Sequence, residues 1–165
     1  MKPENVLIDL DGYIKITDFG LSKRNISGNS GAFSICGTPE YLAPEVLQRK
    51  GHGKAVDWWA LGSIIYEMMT GFPPFYSKNH EVLYQNIIET ELNYPKYVDK
   101  CLRNLLEGLF QKNPLLRYGA NEIKNHEWFK GFDWKALLAK KLIPPFKPVL
   151  KSETDVTYFD PVRLF

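Results

Sequence analysis

Cysteine is scarce in this chain: Cys36 and Cys101 are the only two in 165 residues. Two thiols cannot build a disulfide framework, which points to reduced cysteines and a cytoplasmic or nuclear setting. The three histidines, His52, His80 and His126, stand at no ligand spacing, so zinc is not indicated. Long apolar runs are missing too. The longest, Trp58 to Tyr66, is closed by Asp57 and Glu67, far short of the roughly 20 residues that cross a bilayer. Neither sign of charge dominates, since a net charge of +2 is spread along the chain. Nucleic acid and membrane surfaces are therefore not the expected partners. The first residues, Met1-Lys2-Pro3-Glu4-Asn5, carry no basic region leading into an apolar one, and no secretory signal is expected. No internal repeat is visible.

What is present is an ordinary globular mixture, 44% hydrophobic and 24% charged, long enough for one sizeable core. Val6-Leu7-Ile8 and Tyr13-Ile14-Lys15-Ile16 are short β-type runs joined by Asp9-Leu10-Asp11-Gly12, a hairpin signal. Residues 21–36, rich in Ser, Asn and Gly, predict a surface loop. A buried helix is expected over 57–69, apolar around most of its circumference and stopped by Gly71 and Pro73-Pro74. Another is expected over 81–89. Val98, Cys101, Leu102, Leu105, Leu106, Leu109 and Phe110 keep a 3.6-residue period and predict an amphipathic helix ending near Asn113-Pro114. Short helices around 121–125 and 134–141 complete the body. Ile143-Pro144-Pro145-Phe146-Lys147-Pro148 opens an extended tail. The four tryptophans read as core aromatics, and Cys36 as a small buried residue.

The chemistry gathers at the hairpin. Folding one strand onto the next brings Asn5 and Asp18 together, and two hard oxygen ligands suit Mg²⁺, which takes the rest of its shell from water and phosphates. Asp18-Phe19-Gly20 would be a weak signal by itself; with Lys2-Pro3-Glu4-Asn5 at this spacing it becomes strong. Gly37-Thr38-Pro39-Glu40-Tyr41-Leu42-Ala43-Pro44-Glu45 contains the Ala-Pro-Glu signature of an activation segment, and Asp57-Trp58-Trp59-Ala60-Leu61-Gly62 opens the buried helix. Over residues 2–160 the chain resembles the C-terminal lobe of a eukaryotic serine/threonine protein kinase, entered midway through the catalytic loop. Gly71-Phe72-Pro73-Pro74-Phe75, Ile123-Lys124-Asn125-His126-Glu127-Trp128-Phe129 and the tail segments Pro145-Phe146-Lys147-Pro148 and Asp155-Val156-Thr157-Tyr158-Phe159-Asp160 resemble the AGC group.

The resemblance implies a mainly α fold with one short β-hairpin, part of an α+β two-lobe architecture. Residues 1–129 would be the partial lobe and 130–165 the AGC tail. It implies ATP and Mg²⁺ as cofactors, with Asn5 and Asp18 on the metal, Lys2 on the transferring phosphoryl group and Phe159 near the adenine. Thr38 would help select Ser/Thr hydroxyls. Glu4 and Glu67 would line the groove for a protein substrate with upstream basic residues, meeting arginine bidentately; Glu67 also reads simply as the polar end of a helix. Ile35, Pro39 and Leu42 would form the pocket after the phosphoacceptor. Ser34 would be the site of an upstream activating kinase, with Lys23 as one partner of its phosphate. Arg117 would pair with Glu45, and Asp57 would cap the backbone of the catalytic turn.

Several parts of the family pattern do not occur in the chain: the Gly-rich phosphate loop, the strand lysine, its glutamate partner and the catalytic Asp. Catalysis by these residues alone is therefore not expected, because phosphoryl transfer rests on positioning. The alternatives are a non-catalytic docking fragment or the remnant of a truncated gene. Without the helix that normally covers the central one, Trp58, Leu61, Ile64 and Ile65 are expected to face water in part, and Asp57 to be an unpaired buried carboxylate.

Overall fold

A computed structural model describes residues 1–24, 26, 28 and 31–159. Asp160 of the tail motif and four positions of the 21–36 loop lie outside them. No helix among the described residues is long and apolar enough to cross a membrane. The chain divides into two compact units: Met1–Pro3 with Phe19–Phe132, and Glu4–Asp18 with the chain from Asp133 onward.

The first unit is helical and holds the core. Its helices are α1 (Pro44–Leu47), α2 (Ala55–Thr70), α3 (His80–Glu89), α4 (Lys100–Leu109) and α5 (Ala120–Asn125). Each starts or stops where local chemistry demands. Asn79 caps α3 by accepting from the Glu81 and Val82 amides, and Asp99 caps α4 through Cys101 and Leu102. Gly71 ends α2 at φ 84°, a left-handed turn that costs glycine little. The period read in α4 becomes a buried stripe of Leu102, Leu105, Leu106 and Leu109, each side chain contributing about 1.5–3 kcal/mol of burial. α4 packs on α2. Trp59 of α2 is fully enclosed, stacked on Phe75 at 5.7 Å and meeting Phe110 edge-on at 5.1 Å. Lys112 seals the rim of this cluster. Its ammonium lies over the Trp59 and Phe75 rings and donates to the Ile87 carbonyl at 2.5 Å. Burial, aided by the nearby Arg117 charge, pushes this lysine down to about 8.

Close packing of α4 leaves no room at Gly108, where a Cβ would lie 2.1 Å from the Tyr118 ring. Tyr118 is also tied there, its amide donating to the Gly108 carbonyl at 3.0 Å. Gly108→Ala is expected to lower the unfolding free energy by about 1–3 kcal/mol, the usual cost of overpacking. Urea denaturation checks this, and combining it with Tyr118→Ala should cost less than the sum of the single changes.

The second unit is built on a hairpin and the later chain. Strands β1 (Val6–Ile8) and β2 (Ile14–Ile16) pair antiparallel in the register Val6↔Ile16, Leu7↔Lys15, Ile8↔Ile14. The turn closes through Asp9, whose carboxylate accepts from the Asp11 and Tyr13 amides. The Tyr13 bond foremost, then Lys140 and Lys15, holds the Asp9 carboxyl below its usual range. Residues 140–147, just past helix α6 (Trp134–Leu138), pack on this turn. Tyr13 donates its hydroxyl to the Leu142 carbonyl at 2.6 Å, and Lys140 pairs with Asp9 at 3.4 Å and Asp11 at 3.5 Å. Gly12, at φ 89°, sits so close that a Cβ would fall 2.4 Å from the Phe146 carbonyl oxygen.

Some expectations need correction. Asp57 is exposed in the first turn of α2, so it is solvated near a positive helix end rather than orphaned. Ile64 is buried, against expectation, while Trp58, Leu61 and Ile65 are half-buried and face water in part as expected; the exposed apolar residues of α2 are Met68 and Met69. Of the tryptophans only Trp59 is fully enclosed, and Trp128 is exposed. Cys36 is half-buried. Helix α6 stops at Leu138, because Lys140 takes a left-handed φ of 53°. The short α1 has no apolar period long enough to read in sequence.

Candidate active site

The hairpin does what its ends suggested. After the 3-10 turn Pro3–Asn5, Asn5 enters β1, and its carbonyl accepts from the Thr17 amide at 2.9 Å on the returning strand. That pairing sets Asp18 across from Asn5, with the Asn5 amide donating to Asp18 Oδ2 at 3.3 Å. Asp18 adopts φ 60°, a left-handed conformation that Asp tolerates better than most residues. Backbone of this kind concentrates at functional positions. Asp18 is exposed, so its oxygens are open to water and to a ligand. The Asp18 carboxylate and, with its amide turned over, the Asn5 oxygen are hard donors side by side at an open edge, which fits a Mg²⁺ ion that keeps part of its water shell.

In the first unit the residues after Gly37 form a rigid floor. Thr38 precedes a 3-10 turn, Pro39–Tyr41, its carbonyl accepting from the Tyr41 amide. The Tyr41 hydroxyl donates to Glu67 Oε2 at 2.6 Å, fixing a half-buried carboxylate at the end of α2. Beneath them Glu45 is buried and held by a two-pronged Arg117: Nη1 to Oε1 at 2.7 Å, Nη2 to Oε2 at 2.9 Å. Arg117 also donates to the carbonyls of Ala55 and Gln111, which ties α1, the start of α2 and the chain beyond α4 to one point.

A family model described as "Protein kinase domain" matches residues 1–129. The chain belongs to the protein kinase family. Among curated relatives it is 52% identical over 165 residues to "Protein kinase 2" of Dictyostelium discoideum, covering 98% of this chain and 34% of that protein. It is 49% identical to "Serine/threonine-protein kinase YPK2/YKR2" of Saccharomyces cerevisiae, covering 97% of this chain and 24% of that one. To "Serine/threonine-protein kinase Sgk1-B" of Xenopus laevis it is 48% identical, covering 98% and 38%. These relatives are AGC-type serine/threonine kinases, and the chain spans about a third of their length.

Within this kinase lobe, Asn5 and Asp18 converge in one unit, while Glu45 with Arg117, and Glu67 with Tyr41, are joined in the other. Glu4, Ser34, Lys23 and Phe159 are exposed. Lys2, Pro39 and Thr38 are half-buried. Leu42 is turned into the core, which leaves Ile35 and Pro39 as the accessible apolar residues of that segment. Sequence reasoning did not pick out Tyr41 as the residue that steadies Glu67, nor Tyr13 and Lys140 as anchors of the hairpin. No local pattern marks partners so far apart along the chain.

Proposed function

We propose that the protein transfers the γ-phosphate of ATP to serine or threonine in protein substrates carrying basic residues upstream. The observation that carries the reading is the convergence of Asn5 and Asp18 across the hairpin. Asn5 and Asp18 would hold Mg²⁺, which neutralises charge on the phosphates when bound. Lys2 would supply a fixed cation to the transferred group, and Phe159 an apolar face near the adenine. Thr38 would favour hydroxyl acceptors. Glu67, held by Tyr41, would meet a substrate guanidinium with both oxygens, and Glu4 would add a second carboxylate. Ser34 would be the target of an upstream kinase, and residues from 130 onward the tail. Phosphoryl transfer requires more positioning groups than these residues contain, so catalysis by them alone is not expected, and the proposed setting is the cytoplasm or nucleus.

The test uses the native protein, isolated from its cells with an antibody to residues 145–159 and sized on a gel. It is given radiolabelled ATP and two peptides, one with upstream arginines and one with those replaced by alanine. At least about tenfold faster labelling of the basic peptide is expected, the effect of one charge-assisted contact of about 1.4 kcal/mol or more. Equal labelling of both removes the basic preference. No labelling, with a band at the 19.1 kDa of this chain, favours a docking role.

A further inference from the structure

Where the hairpin turn meets residues 140–147, within the second unit, lies a cavity of about 390 Å³. Its walls are tied from both sides. Tyr13 gives its hydroxyl to the Leu142 carbonyl, and the Lys140 ammonium sits over the Tyr13 ring, 5.1 Å from its centre. The Lys141 amide donates to the Ala136 carbonyl at 2.9 Å, which fixes the backbone just past α6. On the other wall the Lys147 stem lies against Gly12, where a Cβ would be 3.1 Å from its Cγ. The cavity is therefore held open by bonds that belong to the fold.

Its charge is one-sided. Lys140, Lys141 and Lys147 line it against a single carboxylate, that of Asp11. Asp11 is answered by Lys140 at 3.5 Å, and the same ammonium pairs with Asp9 at 3.4 Å. Lys141 and Lys147 are exposed and make no ion pair among the described residues. Two positive charges are thus left over at the cavity. A phosphate monoester carries about −1.5 to −2 at neutral pH and balances both, whereas a carboxylate balances one. Lysine meets phosphate as a point charge with three donors. The rest of the lining includes apolar Pro144 and Ile143, the latter 92% exposed. An aliphatic side chain so open to water gains from any apolar group laid against it.

We propose that this cavity binds a phosphate monoester, its phosphate held by Lys141 and Lys147 and its organic part against Ile143 and Pro144. Lys140 takes no direct share, because two carboxylates already hold it; it keeps the wall in place over Tyr13. A soluble ester and a lipid headgroup present the same chemistry, and the test separates them.

The full chain is titrated calorimetrically with glycerol phosphate, with glycerate in its place, and with vesicles of phosphatidylcholine and phosphatidic acid. Divalent ions are left out, so that Asn5 and Asp18 take no part. Glycerol phosphate is expected to bind at least about tenfold more tightly than glycerate. Lys141→Gln and Lys147→Gln should each weaken it about tenfold, the usual effect of losing one charge-assisted contact. Lys151→Gln, at an exposed lysine outside the cavity, should leave binding within about twofold. Both cavity lysines are exposed, so the variants should fold as the parent does, which circular dichroism checks. Binding of the soluble ester with this lysine dependence supports a free ligand; vesicle binding alone, lost in the same variants, supports a lipid headgroup. Binding of neither probe, equal affinity for glycerate, or binding that survives both substitutions overturns the proposal.

Discussion

Arg117→Ala is expected to cost about 3–5 kcal/mol of folding free energy, the range found when one partner of a buried ion pair is removed. The Arg117 side chain is fully enclosed and that of Glu45 is 5% exposed. Alanine would leave the Glu45 carboxylate in the core with its two donors gone, and the carbonyls of Ala55 and Gln111 short of a donor as well. Lysine should not rescue it, since a single ammonium cannot reproduce two parallel bonds and two further donations. Replacing both Glu45 and Arg117 by leucine should recover much of the loss, because no charge is then stranded. Urea denaturation of the three variants decides the matter. A loss below about 1 kcal/mol for Arg117→Ala would mean that the pair is solvated, as surface pairs are.

Asp18→Asn is expected to slow phosphate transfer by the native protein about a thousandfold, equivalent to about 4 kcal/mol at 1.36 kcal/mol per tenfold. The substitution keeps the size and the left-handed backbone that Asp and Asn both tolerate. It removes only the negative charge that would hold the metal. Stability should barely change, because Asp18 is exposed. Asp11→Asn, in the turn of the same hairpin, is the control and should leave the rate within about twofold, since ordinary surface changes stay near ±0.5 kcal/mol. Initial rates on a basic peptide measure both. A rate within tenfold of the parent for Asp18→Asn would remove Asp18 from the metal site.

The longer helices and the hairpin were legible because each rests on short-range signals, whereas the Glu45–Arg117 pair came only with the family resemblance. The leucine stripe of α4 and the Gly71 stop are both read within a few residues. The meeting of Asn5 and Asp18 followed from one tight turn. What escaped is long-range. Nothing near Tyr41 tells that its hydroxyl finds Glu67, and nothing near Gly108 tells that Tyr118 fills its space. Asp57 was misread for a related reason: its burial depended on a neighbouring segment rather than on its own surroundings.

The bond from Tyr13 to Leu142 joins residues 129 apart in sequence. Closing so long a loop is an entropic cost borne before the contact returns anything, and distant contacts of this kind form late. At 5–20 residues per second, translation needs on the order of ten seconds to cover that distance. During synthesis, then, the hairpin that presents Asn5 and Asp18 waits without its anchors while the helical core assembles. Asn5 and Asp18, the candidate metal ligands, are thus made well before the residues that anchor their hairpin.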